Sequence, residues 1–152
     1  MTSTDSKNTS PLEAIFESRV FGALELFSQP TTDAQPASQI VSEGINGSYL
    51  IRLSEGIPQE ILAATLGIEV NCLPKLYNQH LSKLYTGRIN GLTLLWIGIR
   101  AVFRENNDSA LEWFRSPIPA LSGNSPLEIV NTTDGQRAIQ KALDAMLSGD
   151  FT

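Results

Sequence analysis

The chain has 152 residues, 41% hydrophobic and 18% charged, with a net charge of −5. That length and balance fit one compact domain, or two small helical modules sharing a core, and exclude an intrinsically disordered chain. The longest apolar stretch, residues 92–103, is broken by Arg100 and too short to span a bilayer, and residues 1–10 lack the basic-then-apolar order of a secretory signal. The single cysteine, Cys72, leaves no internal disulfide and suits a reducing compartment, so the expected address is the cytoplasm.

The charge is segregated. Residues 1–60 hold three basic and eight acidic side chains; residues 105–152 hold three and seven. Between them, residues 70–104 carry Lys75, Lys83, Arg88, Arg100, Arg104 and His80, without a carboxylate. A basic middle between acidic ends implies two kinds of surface, one able to meet phosphate and one able to meet a basic partner. The plainer alternative is that these cations line the solvent side of a long helix.

In chain order, Ser10-Pro11-Leu12-Glu13 is a capping box, and Leu12, Ile15, Phe16, Val20, Ala23, Leu24 and Phe27 follow at helical spacing. Gln29-Pro30 ends that helix, and residues 31–39 read as a polar linker, so the helix is expected to pack on something, either on the main body or detached from it. Residues 40–53 are the least legible. Gly44 and Asn46-Gly47-Ser48 signal turns, and Tyr49–Leu53 is assigned to helix because no second strand is available to pair with it.

From Pro58 the pattern sharpens. Ile61, Leu62, Ala63 and Leu66 describe a two-turn helix stopped by Gly67; Asn71 then caps a second short helix with Leu73, Leu76 and Tyr77. Two short helices across a glycine turn have the spacing of a helix-turn-helix. Its candidate DNA contacts are Asn71, Lys75, Gln79, His80, Lys83 and Arg88. The second helix itself supplies one cation, where phosphate and base readers usually have several, and Pro74 distorts it unless it lies in the first turn.

Ser82 opens the longest helix, to about Glu105, with an apolar stripe of Leu81, Leu84, Leu92, Leu95, Trp96, Ile99, Val102 and Phe103. Each glycine costs a helix about 1 kcal/mol relative to alanine. Gly87, Gly91 and Gly98 therefore mark a face approached by another backbone, within the monomer or across a homodimer. Next comes a short helix capped at Asn106–Asp108, with Ala110, Leu111, Trp113 and Phe114. Pro117 and Pro119 then force an extended passage, Ser125-Pro126-Leu127-Glu128 is a second capping box, and Thr133-Asp134-Gly135-Gln136 reads as a third. The last helix places Ile139, Leu143 and Leu147 on one face and stops at Gly149.

Chemistry for catalysis is sparse. His80 and Cys72 are too few for a zinc site, and Cys72 sits at an apolar helical position. The glycines form no phosphate-cradling loop, since no Gly-Lys-Ser/Thr follows them. The expectation is an all-α binding protein without metal or cofactor, not an enzyme.

Trp113, Pro117, Pro119, Ala120-Leu121, Gly123, Ser125-Pro126-Leu127, Thr132, Gly135, Leu143 and Gly149 resemble the toxin-binding domain of the Xre/MbcA/ParS-like antitoxins. Gln59, Leu62-Ala63, Leu66-Gly67-Ile68, Leu81-Ser82 and Arg88 resemble the Xre-like part of that family. The resemblance implies three regions: an N-terminal helix and linker over 1–39, an Xre-like helix-turn-helix region over 40–105, and a toxin-binding domain over 106–152. It implies a type II antitoxin that covers the active site of a RES-type, NAD-consuming toxin, forms a homodimer and autoregulates its own promoter. The alternative is a stand-alone helix-turn-helix regulator. Trp113, Pro117, Leu121, Gly123, Pro126, Asp150, Phe151 and Thr152 are the expected toxin contacts. The Asp150-Phe151-Thr152 tip can occupy a pocket built for an anionic dinucleotide.

Overall fold

The computed structural model describes residues 10–21, 44–104 and 106–149. The expected helix residues 22–27, the linker over 31–39 and the Asp150–Thr152 tip lie outside these. Helices α1 (Pro11–Phe21), α2 (Tyr49–Leu53), α3 (Gln59–Leu66), α4 (Lys83–Phe103), α5 (Asn107–Arg115), α6 (Pro126–Ile129) and α7 (Thr133–Ser148) are joined by 3-10 helices at Val70–Leu76 and Pro119–Leu121. Among the described residues the sole strand-like feature is an isolated antiparallel bridge between Asn46 and His80. The all-α expectation holds.

The strut is α4. Ser82 caps it by accepting from the Tyr85 amide at 3.1 Å, and it ends at Arg104 in the left-handed region, φ 52°. Helices pack on several of its sides, so its buried set is wider than one stripe: Thr86, Ile89, Leu92, Thr93, Leu95, Trp96, Gly98 and Ile99. Leu84 belongs to the expected stripe but is 61% exposed, and Leu147, expected inward on α7, is 51% exposed. Hydrophobic spacing marks a face; whether a neighbour covers its far end depends on where that neighbour stops.

The first helix packs on the main body. Leu12, Phe16 and Val20 are fully buried, and α1 packs along α4. Arg19, half-buried, donates from Nη1 to Asn90 Oδ1 at 2.7 Å and Thr93 Oγ1 at 2.9 Å. Burial lowers its pKa from the ordinary guanidinium value, and the two neutral acceptors replace lost water. Tyr49 donates its hydroxyl to the Glu13 carbonyl at 2.6 Å, tying α2 to α1. Burial, then the charge of Glu17, pushes that phenol well above its usual range.

The glycine face serves the monomer. A Cβ on Gly91 would stand 1.8 Å from Gln136 Oε1, and one on Gly98 would touch Leu143, so α7 occupies that side of α4. Of the two surfaces expected to hold a homodimer, the glycine face at Gly91 and Gly98 and the described part of the N-terminal helix are thus both engaged within the chain.

Candidate toxin-binding module and the basic window

The C-terminal module is built from local caps. Asn106 accepts from the Ser109 amide at 3.1 Å to start α5. The Ser125 amide donates to Glu128 Oε1 at 2.8 Å, closing the expected capping box of α6. The box expected at Thr133–Gln136 is displaced by one residue. Thr132 is the cap, accepting from the Gly135 amide at 2.9 Å. A Cβ on Gly135 would lie 1.7 Å from the Ile129 carbonyl oxygen, so glycine is what lets α7 start directly against the end of α6.

Gln136 is thereby released for another task. Its Nε2 donates to the Arg88 carbonyl at 3.1 Å and the Val130 carbonyl at 2.9 Å, joining α4 to the α6–α7 turn. Long-range pairing of this kind leaves no periodic signal, and the sequence reading missed it.

The passage after α5 is a closed loop. Ile118 donates its amide to the Asn124 carbonyl at 3.1 Å, and Gly123 donates to the Ile118 carbonyl at 3.0 Å. Ser122 and Gly123 turn the chain at φ 60° and 83°. Leu121 and Pro126 are buried beneath it. Trp113 is half-buried, its ring 5.9 Å from Phe103 and 5.6 Å, edge-on, from Phe114. Phe114, absent from the expected site, is the fully buried anchor. Pro117 is exposed, together with Pro119, Ala120 and Gly123. A buried base under an exposed, hydrogen-bonded tip is how a rigid scaffold presents a binding loop. The module is fastened to α3 by Arg115, whose Nε donates to Glu60 Oε2 at 3.1 Å while Nη2 pairs with Oε1. Hydrogen bonding from Arg115 holds the Glu60 carboxyl below its ordinary pKa.

Among the candidate DNA contacts, Asn71, Lys75, Gln79, His80 and Lys83 are exposed. Glu69, not Asn71, precedes the second element as its cap residue, and that element is a 3-10 helix with Pro74 inside. Proline removes an amide and crowds the preceding turn, which accounts for the tighter helix in place of an α-helical recognition element. Arg88 donates from Nη1 to the Leu66 carbonyl at 3.1 Å, at the C-terminus of α3. Arg100 donates to the Val20 carbonyl of α1. Arg88 thus satisfies a helix C-terminal carbonyl, where both hydrogen bonding and the helix dipole favour positive charge, and Arg100 ties α4 to α1. No group of three or more His, Cys, Asp and Glu side chains that could hold a metal ion occurs among the described residues.

Residues 100–149 match the model of the antitoxin Xre/MbcA/ParS C-terminal toxin-binding domain. The match starts inside the last turns of α4, ahead of the boundary expected at residue 106. The chain is also 26% identical over 132 residues to a protein of Sphingobium sp. (strain YBL2) named Prs ADP-ribosylating antitoxin, covering 78% of this chain and 83% of that protein. No helix of the described residues is long and apolar enough to cross a membrane. The resemblance read from Trp113 to Gly149 is borne out: the closed loop and the α5–α7 scaffold beneath it are the part of the chain that matches the Xre/MbcA/ParS antitoxin toxin-binding domain.

Proposed function

We propose that this protein neutralises a RES-type, NAD-consuming toxin by covering its active site with the C-terminal module. The match of residues 100–149 to a toxin-binding domain carries the reading. The name of the Sphingobium relative, which joins antitoxin to ADP-ribosylation, supports a toxin that handles NAD. Trp113, Phe114, Leu121 and Pro126 would hold the scaffold; Pro117 and Gly123 would present the exposed loop to the toxin. Asp150, Phe151 and Thr152 would follow α7 into the toxin cleft. There an aromatic anchor is typically worth about 2 kcal/mol or more, and an acidic group can pair with a cation that serves the dinucleotide. Autoregulation of the promoter would fall to the exposed cations Lys75 and Lys83, since Arg88 and Arg100 are engaged with backbone carbonyls.

The test is co-expression with a RES-like toxin encoded by the adjacent gene, reading growth and cellular NAD. The full chain restores both and co-purifies with the toxin. Removing residues 149–152 leaves the melting temperature nearly unchanged, because α7 already stops at Gly149, while toxicity returns. Full protection by the truncated chain would move the neutralising surface to the loop over 116–125 and the faces of α5 and α7. Failure of the full chain to bind or protect would overturn the reading.

A further inference from the structure

Two adjoining grooves run between the first half of α4 and the start of α7. One, of about 380 Å³, is lined by Lys83, Leu84, Arg88 and Asn131; the other, of about 390 Å³, by Asn90, Leu94, Arg137 and Gln140. Gly87, Thr133 and Gln136 line both, so the two adjoin as an elongated channel along α4, with Gln136 standing at their junction. Three cations border it and no carboxylate lines either part. Arg137 is paired with Asp134 at 3.2 Å, but both side chains are largely exposed, at 75% and 94%, so the pair is easily exchanged for another acidic group.

Two leucines stand along the channel. Leu84 is 61% and Leu94 46% exposed, although both belong to the chain's main helix. Ten residues of α-helix separate them by about 15 Å, which an extended peptide covers in about five residues. Between them Gly87 adds no side chain to the floor, while Gln136 lies over Gly91. Duplex DNA would satisfy the cations but leave the leucines without a partner, whereas an extended acidic peptide bearing apolar side chains satisfies both.

We propose that this channel docks an extended acidic, apolar segment of the toxin. It rests on the antitoxin reading, and its place is continuous with that reading, because α7 lies inside the toxin-binding domain while α4 lies mostly before it. The toxin would then be held across two regions of the chain, by the exposed loop of one and by a channel shared between both. Charge complementarity supplies the direction: the channel borders are positive on a chain that is otherwise acidic.

The experiment measures affinity of the full chain for the purified neighbouring toxin by calorimetry at two salt concentrations. The variants are Lys83→Glu/Arg137→Glu, the conservative Lys83→Arg/Arg137→Lys, and Leu84→Ser/Leu94→Ser, each checked for an unchanged melting temperature. The charge-reversed variant is expected to bind about tenfold or more weakly, with most of the salt dependence gone. The leucine variant weakens binding similarly with the salt dependence kept, and the conservative variant binds like the parent. Parent-like affinity in the charge-reversed variant would overturn the channel and leave the antitoxin reading standing. No toxin binding by the parent chain would overturn both. Loss of operator retardation in the charge-reversed variant, with toxin affinity unchanged, would make the channel a nucleic-acid contact and overturn the proposal.

Discussion

Residues 44–81 and residues 106–149 are both made of short helices and 3-10 turns laid against α4, yet they are held by different means. In the first region no side chain caps α2, α3 or the 3-10 helix. Order there comes from distant backbone: the Gly47 amide donates to the Gln79 carbonyl at 2.6 Å, and the Leu81 amide to the Ile45 carbonyl at 2.8 Å. The Ile45 amide reaches Thr86 Oγ1 on α4 at 3.1 Å. In the second region Asn106, Glu128 and Thr132 satisfy helix starts from within three residues. Local caps specify an element wherever it sits; a long-range clasp specifies it only once the rest has folded.

The largest expected effects test the close approaches in each region. A Cβ on Gly47 would stand 1.7 Å from the Leu76 carbonyl oxygen, as one on Gly135 would from Ile129. Neither backbone can yield cheaply, so Gly47→Ala and Gly135→Ala should each cost about 3 kcal/mol or more in urea unfolding. A loss below about 1 kcal/mol for Gly47→Ala would mean the clasp is not what orders residues 44–81. Phe114→Ala should cost about 3 to 5 kcal/mol, since the ring is fully buried. Toxin binding by that variant should fall in step with its folded fraction.

Next come the two arginines that donate to backbone carbonyls. Arg88→Met and Arg100→Met each remove a charged donor from a helix carbonyl, for about 1.5 kcal/mol or more. If these cations served nucleic acid alone, melting temperatures would not move. By contrast Asn106→Ala and Thr132→Ala in the capped region should cost about 1 kcal/mol each.

The Glu60–Arg115 pair joins the two regions and gives a pH signature. The Glu60 pKa is lowered in the folded chain, so the pair's contribution is present above the ordinary carboxylate range and is lost as pH falls through that lowered value. Glu60→Gln should flatten the acid limb of a melting-temperature profile while leaving it near the parent's at the acid end. A profile still as steep would assign the acid limb to other carboxylates. The smallest effects belong to Leu84→Ser and Leu147→Ser, within about 0.5 kcal/mol, because both side chains are largely exposed.

Much of this was legible from residues alone. The boxes at Ser10 and Ser125, the stop at Gly67, the start at Ser82 and the stop at Gly149 all depend on neighbours within a few positions, and each is found where expected. The toxin-binding module was legible for the same reason, as an ordered run of turn residues and caps. Other assignments needed the third dimension. Thr132 displaced Thr133 as the cap because Gly135 abuts Ile129, and Gln136 was thereby freed to bridge α4. Leu84 and Leu147 share the spacing of buried residues but have no neighbour over them.

By itself the sequence determined the helical class, the position of the main strut and the caps of the C-terminal module, because these follow from periodicity and local hydrogen bonding. Tertiary structure alone decided that α1 packs along α4, that Gly91 and Gly98 serve α7, and that Arg88 and Arg100 donate to backbone carbonyls of α3 and α1. Each of those depends on which distant carbonyl or side chain arrives beside a residue, and no spacing along the chain encodes that arrival.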